Sequence, residues 1–240
     1  MKEMYPEIEK VTKYSNFYLG KCYTWLSTPI TAFAAKRGWH PNTLTLASLL
    51  VAAAAVLCLS SGIYPFVIIG AVLLYLSYVL DWCDGQLARY TGKVSPFGGW
   101  FDQISDRCKE FLYVLGLALG AYKADPFAGV FIAALLALFF LFLLEYYGQM
   151  ARAIPDPQAE VSAAIETAQG ASFYDVKPPT KRFIIDFGID EQYAYIVAAT
   201  IALGEAWTLY GLVVLSCLMA VYKPVKGWTR YLSAKRGDLS

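Results

Sequence analysis

The sequence predicts an all-α integral membrane protein, with six transmembrane helices and an N-terminal amphipathic helix lying in the interface. Three observations carry that reading. Hydrophobic residues make up 58% of the 240 and charged residues 16%, where a soluble domain carries about 25% charged residues. Mean hydropathy is +0.45. From Gly38 to Leu80 there is no Asp, Glu, Lys or Arg. Such a composition excludes a disordered chain, a disulfide-stapled secreted module and an ordinary cytosolic enzyme. The net charge of +1 gives no reason to expect a nucleic-acid partner. The five cysteines are odd in number and scattered, as expected of reduced thiols serving as small core residues.

The elements follow in chain order. Met1 to Asn16 holds six charges and no apolar core, unlike a cleavable signal peptide. Tyr18 to Arg37 mixes Tyr23, Trp25, Leu26, Ile30 and Phe33 with Lys21, Lys36 and Arg37, the pattern of a helix lying flat in an interface. The apolar block beyond Gly38 is too long for one crossing, which takes about 20 residues. Ser60 to Pro65 breaks it into spans over Thr43–Ser60 and Pro65–Tyr90. The third apolar run, Phe111–Tyr122, reaches membrane length only if the charged stretch Gly98–Glu110 continues the same helix. A fourth span covers Phe127–Met150. The block Phe183–Tyr222 divides near Gly204-Glu205-Ala206 into a fifth and a sixth. Ala151–Thr180 is polar and holds four prolines, so it reads as a loop with one short helix over Gln158–Gln169. The domains expected are an N-terminal segment over 1–42, a six-helix catalytic domain over 43–223 with its loop at about 151–182, and a basic tail over 224–240.

The basic residues test the count. With six spans, nineteen of the twenty Lys and Arg fall on one side and only Lys123 on the other. The positive-inside rule makes that side cytoplasmic and places both termini there.

The chemistry concentrates in Asp81–Arg107. Asp81 and Asp84, three apart, share a face at the end of the second span. Asp102 and Asp106, four apart, share one at the start of the third. Two adjacent antiparallel helices joined through Gly92, Pro96, Gly98 and Gly99 would point four carboxylates at one another. Each costs roughly 2.5–3.5 kcal/mol or more in a membrane helix, and clustered carboxylates repel. One divalent cation, or two, removes both problems. All-oxygen ligation favours Mg²⁺ or Mn²⁺, and His40 is the only histidine. Gly85 and Ala88 let a substrate approach the backbone, and Arg89 is placed to meet a phosphate. Capping for the aspartates, snorkelling for Arg89 and plain helix packing for Gly85 and Ala88 are the bland alternatives. Together the set implies a phosphate or pyrophosphate substrate. Asp106 is the best-placed base, with Lys109 expected on another face of the helix and Glu110 a turn deeper.

The spacing Asp81-x2-Asp84-Gly85-x2-Ala88-Arg89-x8-Gly98-x3-Asp102-x3-Asp106 resembles the signature of the CDP-alcohol phosphotransferase family at all eight fixed positions. Pro41-Asn42-Thr43-Leu44-Thr45 is similar to that family's Pro-Asn-x-x-Thr segment. The resemblance implies a transferase that moves a substituted phosphate from a CDP-linked alcohol to an acceptor hydroxyl and releases CMP. By the family pattern, Asp81, Asp84 and Asp102 hold two metal ions, with Asp106 as general base and a further metal contact. Asn42, Thr45, Gly85, Ala88, Arg89 and Gly98 would border the CDP moiety. A homodimer embedded in membrane lipid is also implied. Gly98–Arg107 looks like the branches that act on inositol phosphates, and Arg152, Lys181 and Arg182 could form the matching anion site. The donor expected is CDP-diacylglycerol or a related CDP-lipid, making phospholipid. A soluble CDP-alcohol is the alternative within the family. A divalent-cation transporter is the alternative outside it, though ion transport has no need of Gly85, Ala88 and Arg89 in register.

Overall fold

The structure, a computed structural model, describes residues 2–13, 17–153 and 187–237. All the regular structure among them is helical. A 3-10 turn over Lys2–Met4 precedes α1 (Tyr5–Lys10) and α2 (Phe17–Lys36). Then come α3 (Pro41–Leu59), α4 (Tyr64–Tyr90), α5 (Pro96–Ala124), α6 (Gly129–Ala153), α7 (Ile189–Leu203) and α8 (Glu205–Gly237). The short helix expected over Gln158–Gln169 lies outside the described residues.

Local chemistry sets the boundaries. Pro41, Pro65 and Pro96 stand in the first turns of α3, α4 and α5, where a missing N–H breaks no helical bond. His40 Nδ1 accepts from the Asn42 amide at 3.3 Å, and Ser95 Oγ from the Gly98 amide at 3.0 Å, so both helices are capped. Gly62 (φ +70°) turns α3 into α4 and Gly204 (φ +82°) turns α7 into α8. Both lie in the left-handed region that side chains disfavour.

Among the described residues, four helical segments are long and apolar enough to cross a membrane: α3, α4, Gly129–Gln149 of α6 and Glu205–Lys226 of α8. The other two expected spans differ from these. α5 runs unbroken for 29 residues, so the charged stretch does continue into the apolar run, but its charges keep it out of that set. α7 has 15 residues, short of the ~20 that a crossing needs. α8 continues through Pro224 to Gly237, so the expected start of the tail falls inside a helix.

α3 is the central element, with α4 and α5 both packed on it. Small residues allow the close approach. A Cβ added at Gly70 of α4 would stand 2.8 Å from Leu59 Cγ, and one at Gly116 of α5 would stand 3.2 Å from Leu59 Cβ. This is how helices pack without hydrophobic driving force between them. α2 lies against α4 through a hydroxyl face: Ser27, Thr28 and Thr31 are buried, and Thr31 Oγ1 donates to Gln86 Oε1 at 2.7 Å. Trp25 (77% exposed) and Phe33 face outward. Tyr23 instead turns inward, and its hydroxyl donates to the Asp190 carbonyl at 3.1 Å, tying α2 to α7. Burial, helped by Asp190, pushes that phenol above its usual pKa.

Candidate active site

Three helices build the site about two to three turns in from the α4–α5 turn. α4 presents Ser77, Asp81 and Asp84 at helical spacing, and α3 answers with Thr45 and Ser48. Ser77 Oγ donates to the Ser48 carbonyl at 2.7 Å. Ser48 Oγ donates to Asp81 Oδ1 at 3.5 Å, and Thr45 Oγ1 to Asp84 Oδ2 at 2.5 Å. α5 supplies Asp102 and Asp106. Asp81, Asp102 and Asp106 each offer a carboxylate oxygen, and the three oxygens lie within 4.8 Å of one another. Asp84 stands beside this trio, buried and held by Thr45. Oxygen-only donors this close suit a hard divalent cation.

Lys109 departs from expectation. It does not point to another face of α5. Its ammonium is fully buried and pairs with both Asp81 and Asp106, the latter at 2.8 Å. The reason is helical phase: Lys109 is three residues from Asp106 and seven from Asp102, which keeps it on their stripe. The cluster therefore carries a counter-charge of its own, and an incoming cation must share two carboxylates with the ammonium or displace it. Removing one partner of a buried ion pair costs about 3–5 kcal/mol. Lys109→Met should lower the thermal stability of the metal-free protein by a comparable amount and make Mg²⁺ more stabilising than in the parent. Unfolding in detergent, with chelator or with excess Mg²⁺, checks this; equal Mg²⁺ responses would contradict it.

A cleft of about 180 Å³ opens next to Asp84 and Asp102. Asn42, Thr45, Gly85, Ala88, Arg89 and Gly98, expected to border a nucleotide, all line it. Two of the glycines serve the chain itself. A Cβ at Gly85 would sit 3.1 Å from Arg89 Nη1, so the guanidinium packs over that bare backbone. A Cβ at Gly98 would sit 3.1 Å from the capping Ser95 Oγ. Lys13 and Lys93 also line the cleft.

A second charged cluster joins α5 to α6. Arg107 pairs with Glu110 and reaches Glu145 at 3.9 Å. With Gln192 and Lys223 they line a small cavity of about 40 Å³, so Glu145 faces the interior of the bundle. Of the expected anion site, Arg152 stands in the last turn of α6, while Lys181 and Arg182 lie outside the described residues. Ser48 and Lys109 are the site residues that sequence reasoning missed. Spacing held a signal for each, three residues on from Thr45 and from Asp106.

Residues 39–219 match the sequence profile described as CDP-alcohol phosphatidyltransferase. The chain is 38% identical over 88 residues to the archaetidylinositol phosphate synthase of Aeropyrum pernix, covering 37% of this chain and 44% of the relative. It is 37% identical over 94 residues to the bifunctional IPC transferase and DIPP synthase of Archaeoglobus fulgidus, covering 39% and 18%. The alignments thus span less than half the length of these curated relatives. The crystal structure of Mycobacterium tuberculosis phosphatidylinositol phosphate synthase with CDP-DAG bound superposes with a TM-score of 0.62 at 19% identity, covering 85% of this chain and 94% of that one. The same protein in complex with manganese and citrate gives 0.56. At that identity the likeness shows a shared fold.

Proposed function

Because the chain belongs to the CDP-alcohol phosphatidyltransferase family, we propose that it is a membrane transferase moving a substituted phosphate from a CDP-linked alcohol to an acceptor hydroxyl. One observation carries the reading. The three converging carboxylates of Asp81, Asp102 and Asp106 adjoin a cleft that holds Arg89 and the small residues Gly85, Ala88 and Gly98. Asp81, Asp84, Asp102 and Asp106 would hold the divalent metal, Mg²⁺ or Mn²⁺ and two ions by the family pattern. When bound, it offsets charge developing on the bridging oxygen of the diphosphate and makes CMP a better leaving group. Arg89 orients a phosphate at the cleft. The acceptor oxygen bonds to the phosphorus that bears the alcohol, and the bond from that phosphorus to the bridging oxygen breaks. The electron pair leaves with CMP, and the acceptor's proton passes to Asp106.

In this reading α5 and α7 also cross the bilayer, as the third and fifth of six spans, the 15-residue α7 by local thinning of the bilayer. The charges of α5 can lie at membrane depth because they pair with one another and with α4 and α6. α2 lies in the cytoplasmic interface with Trp25 and Phe33 toward lipid, both termini are cytoplasmic, and the protein is a homodimer. The donor is CDP-diacylglycerol or a related CDP-lipid. The acceptor is an inositol phosphate, the reading that the names of the similar synthases favour, with Arg152, Lys181 and Arg182 meeting its phosphate.

A transfer assay tests this directly. Purified protein with labelled CDP-diacylglycerol, Mg²⁺ and a panel of acceptors should release CMP, fastest with an inositol phosphate. The Lys181→Ala, Arg182→Ala double variant should raise the acceptor KM more than the donor KM. No CMP release with any acceptor, from lipid or soluble CDP-alcohols, would sink the proposal. Stabilisation by Mg²⁺ without a further effect of CDP would point to ion transport.

A further inference from the structure

The N-terminal segment before α2 is built into the cleft. Ile8 of α1 is fully buried. Thr12 Oγ1 donates to the Ile8 carbonyl at 2.8 Å and accepts from Gln86 Nε2 at 3.0 Å. Gln86 is itself fully buried, its carbonyl oxygen taken by Thr31, so it clasps the N-terminal segment and α2 to α4. One turn of α4 onward, Arg89 Nε donates to the Val11 carbonyl at 2.6 Å. That bond spends one of the guanidinium's five N–H donors on the chain and aims the terminal nitrogens over Gly85, at the wall of the cleft. Lys13 is the next residue but one, and it lines the same cleft as Arg89, Asp84 and Asp102.

We propose that Val11–Lys13 forms part of the nucleotide site, with Lys13 supplying a cation to the diphosphate of the bound nucleotide and the Val11 carbonyl positioning Arg89. This rests on reading the cleft as the CDP site. Charge supports it. A nucleoside diphosphate brings more negative charge than Arg89 alone can match, and Lys13 and Lys93 are the other cations lining the cleft. Lys13 is the one carried by the segment that fixes Arg89, and its compact ammonium suits phosphate as a point charge. Thr12 and Gln86 give the lysine a fixed base, so its backbone needs little ordering at the moment of binding.

The experiment measures CDP affinity by calorimetry on the full-length protein in detergent with Mn²⁺, and Mn²⁺ affinity without nucleotide by electron paramagnetic resonance. Lys13→Ala should weaken CDP binding about tenfold. Lys13→Arg should keep CDP affinity within about threefold, because it keeps the charge. Mn²⁺ affinity should stay at the parent value in both. Lys36→Ala, an exposed lysine at the end of α2, should bind CDP as the parent does. CDP affinity unchanged in Lys13→Ala overturns the proposal. So does a parallel loss of CDP and Mn²⁺ affinity, the mark of a structural role. If the parent protein itself binds no CDP with Mn²⁺, the reading of the cleft falls, and the proposal with it.

Discussion

Asp84→Asn should cut transfer by roughly 10³-fold or more, about 4 kcal/mol at 1.36 kcal/mol per tenfold, while leaving the protein folded and inserted. The position separates charge from structure cleanly. Asp84 is buried, and its carboxylate accepts a hydrogen bond from Thr45 Oγ1. An asparagine oxygen can accept that same bond, and the side chain is nearly isosteric. What disappears is the negative charge that the proposed metal ion would require. Asp81→Asn is a harsher change, since it also strips one of the two partners from the buried Lys109 ammonium. Asp102→Asn should resemble Asp84→Asn, because its carboxylate joins the trio without taking an ion pair from Lys109. CMP release, read with Mn²⁺ binding and thermal unfolding, checks all three. Near-normal turnover in Asp84→Asn, with the protein folded, would remove that residue from the metal site.

Several features were legible because single residues dictate them. Pro65 marks a helix start, since a ring that lacks an N–H is tolerated there and not deeper. Pro41 opens its helix two residues before the expected span, and Pro96, expected in the turn with Gly98 and Gly99, opens α5 with both glycines inside it. Gly62 and Gly204 mark turns, since each takes a positive φ. The six cleft residues, spread over three helices, were reached through the resemblance to the family's motif, whereas the aspartate pairs 81/84 and 102/106 were legible because helical spacing puts three- and four-residue neighbours on one face. Lys109 was misplaced for the same reason applied once too few times. Measured from Asp106 it stands roughly 60° off the stripe, but from Asp102 only about 20°, and the carboxylates of α4 draw it in. α5 and α7 resist a hydropathy reading because their polar residues are matched by other helices rather than by water. Lys109 of α5 finds Asp81 of α4, and Asp190 of α7 finds Tyr78 of α4. The basic residues that composition assigns to a tail continue the helix of α8 past Pro224. The clasp of Thr12 and Val11 on Gln86 and Arg89 joins residues more than seventy positions apart, and no local pattern announces it.

The proposed mechanism turns on Asp106. An attacking hydroxyl must lose its proton, and among the described residues no histidine stands near the carboxylates. Asp106 is one turn below Asp102 on the same face, and Lys109 holds its carboxylate toward Asp81. A positioned base contributes roughly 10²- to 10⁴-fold in rate, so Asp106→Asn should lose that much kcat. The amide oxygen can still accept from Lys109, which keeps the cluster assembled and makes the variant a fair test. If Asp106 acts as the base, CDP and Mn²⁺ affinities stay near those of the parent while kcat falls. If it is mainly a metal ligand, Mn²⁺ affinity falls in step with activity. The two outcomes separate because a base acts on the acceptor's proton in the transition state, whereas a ligand holds its ion before any acceptor arrives. Full activity in Asp106→Asn would exclude both roles and would move the search for the base to Glu110, the next buried carboxylate along α5.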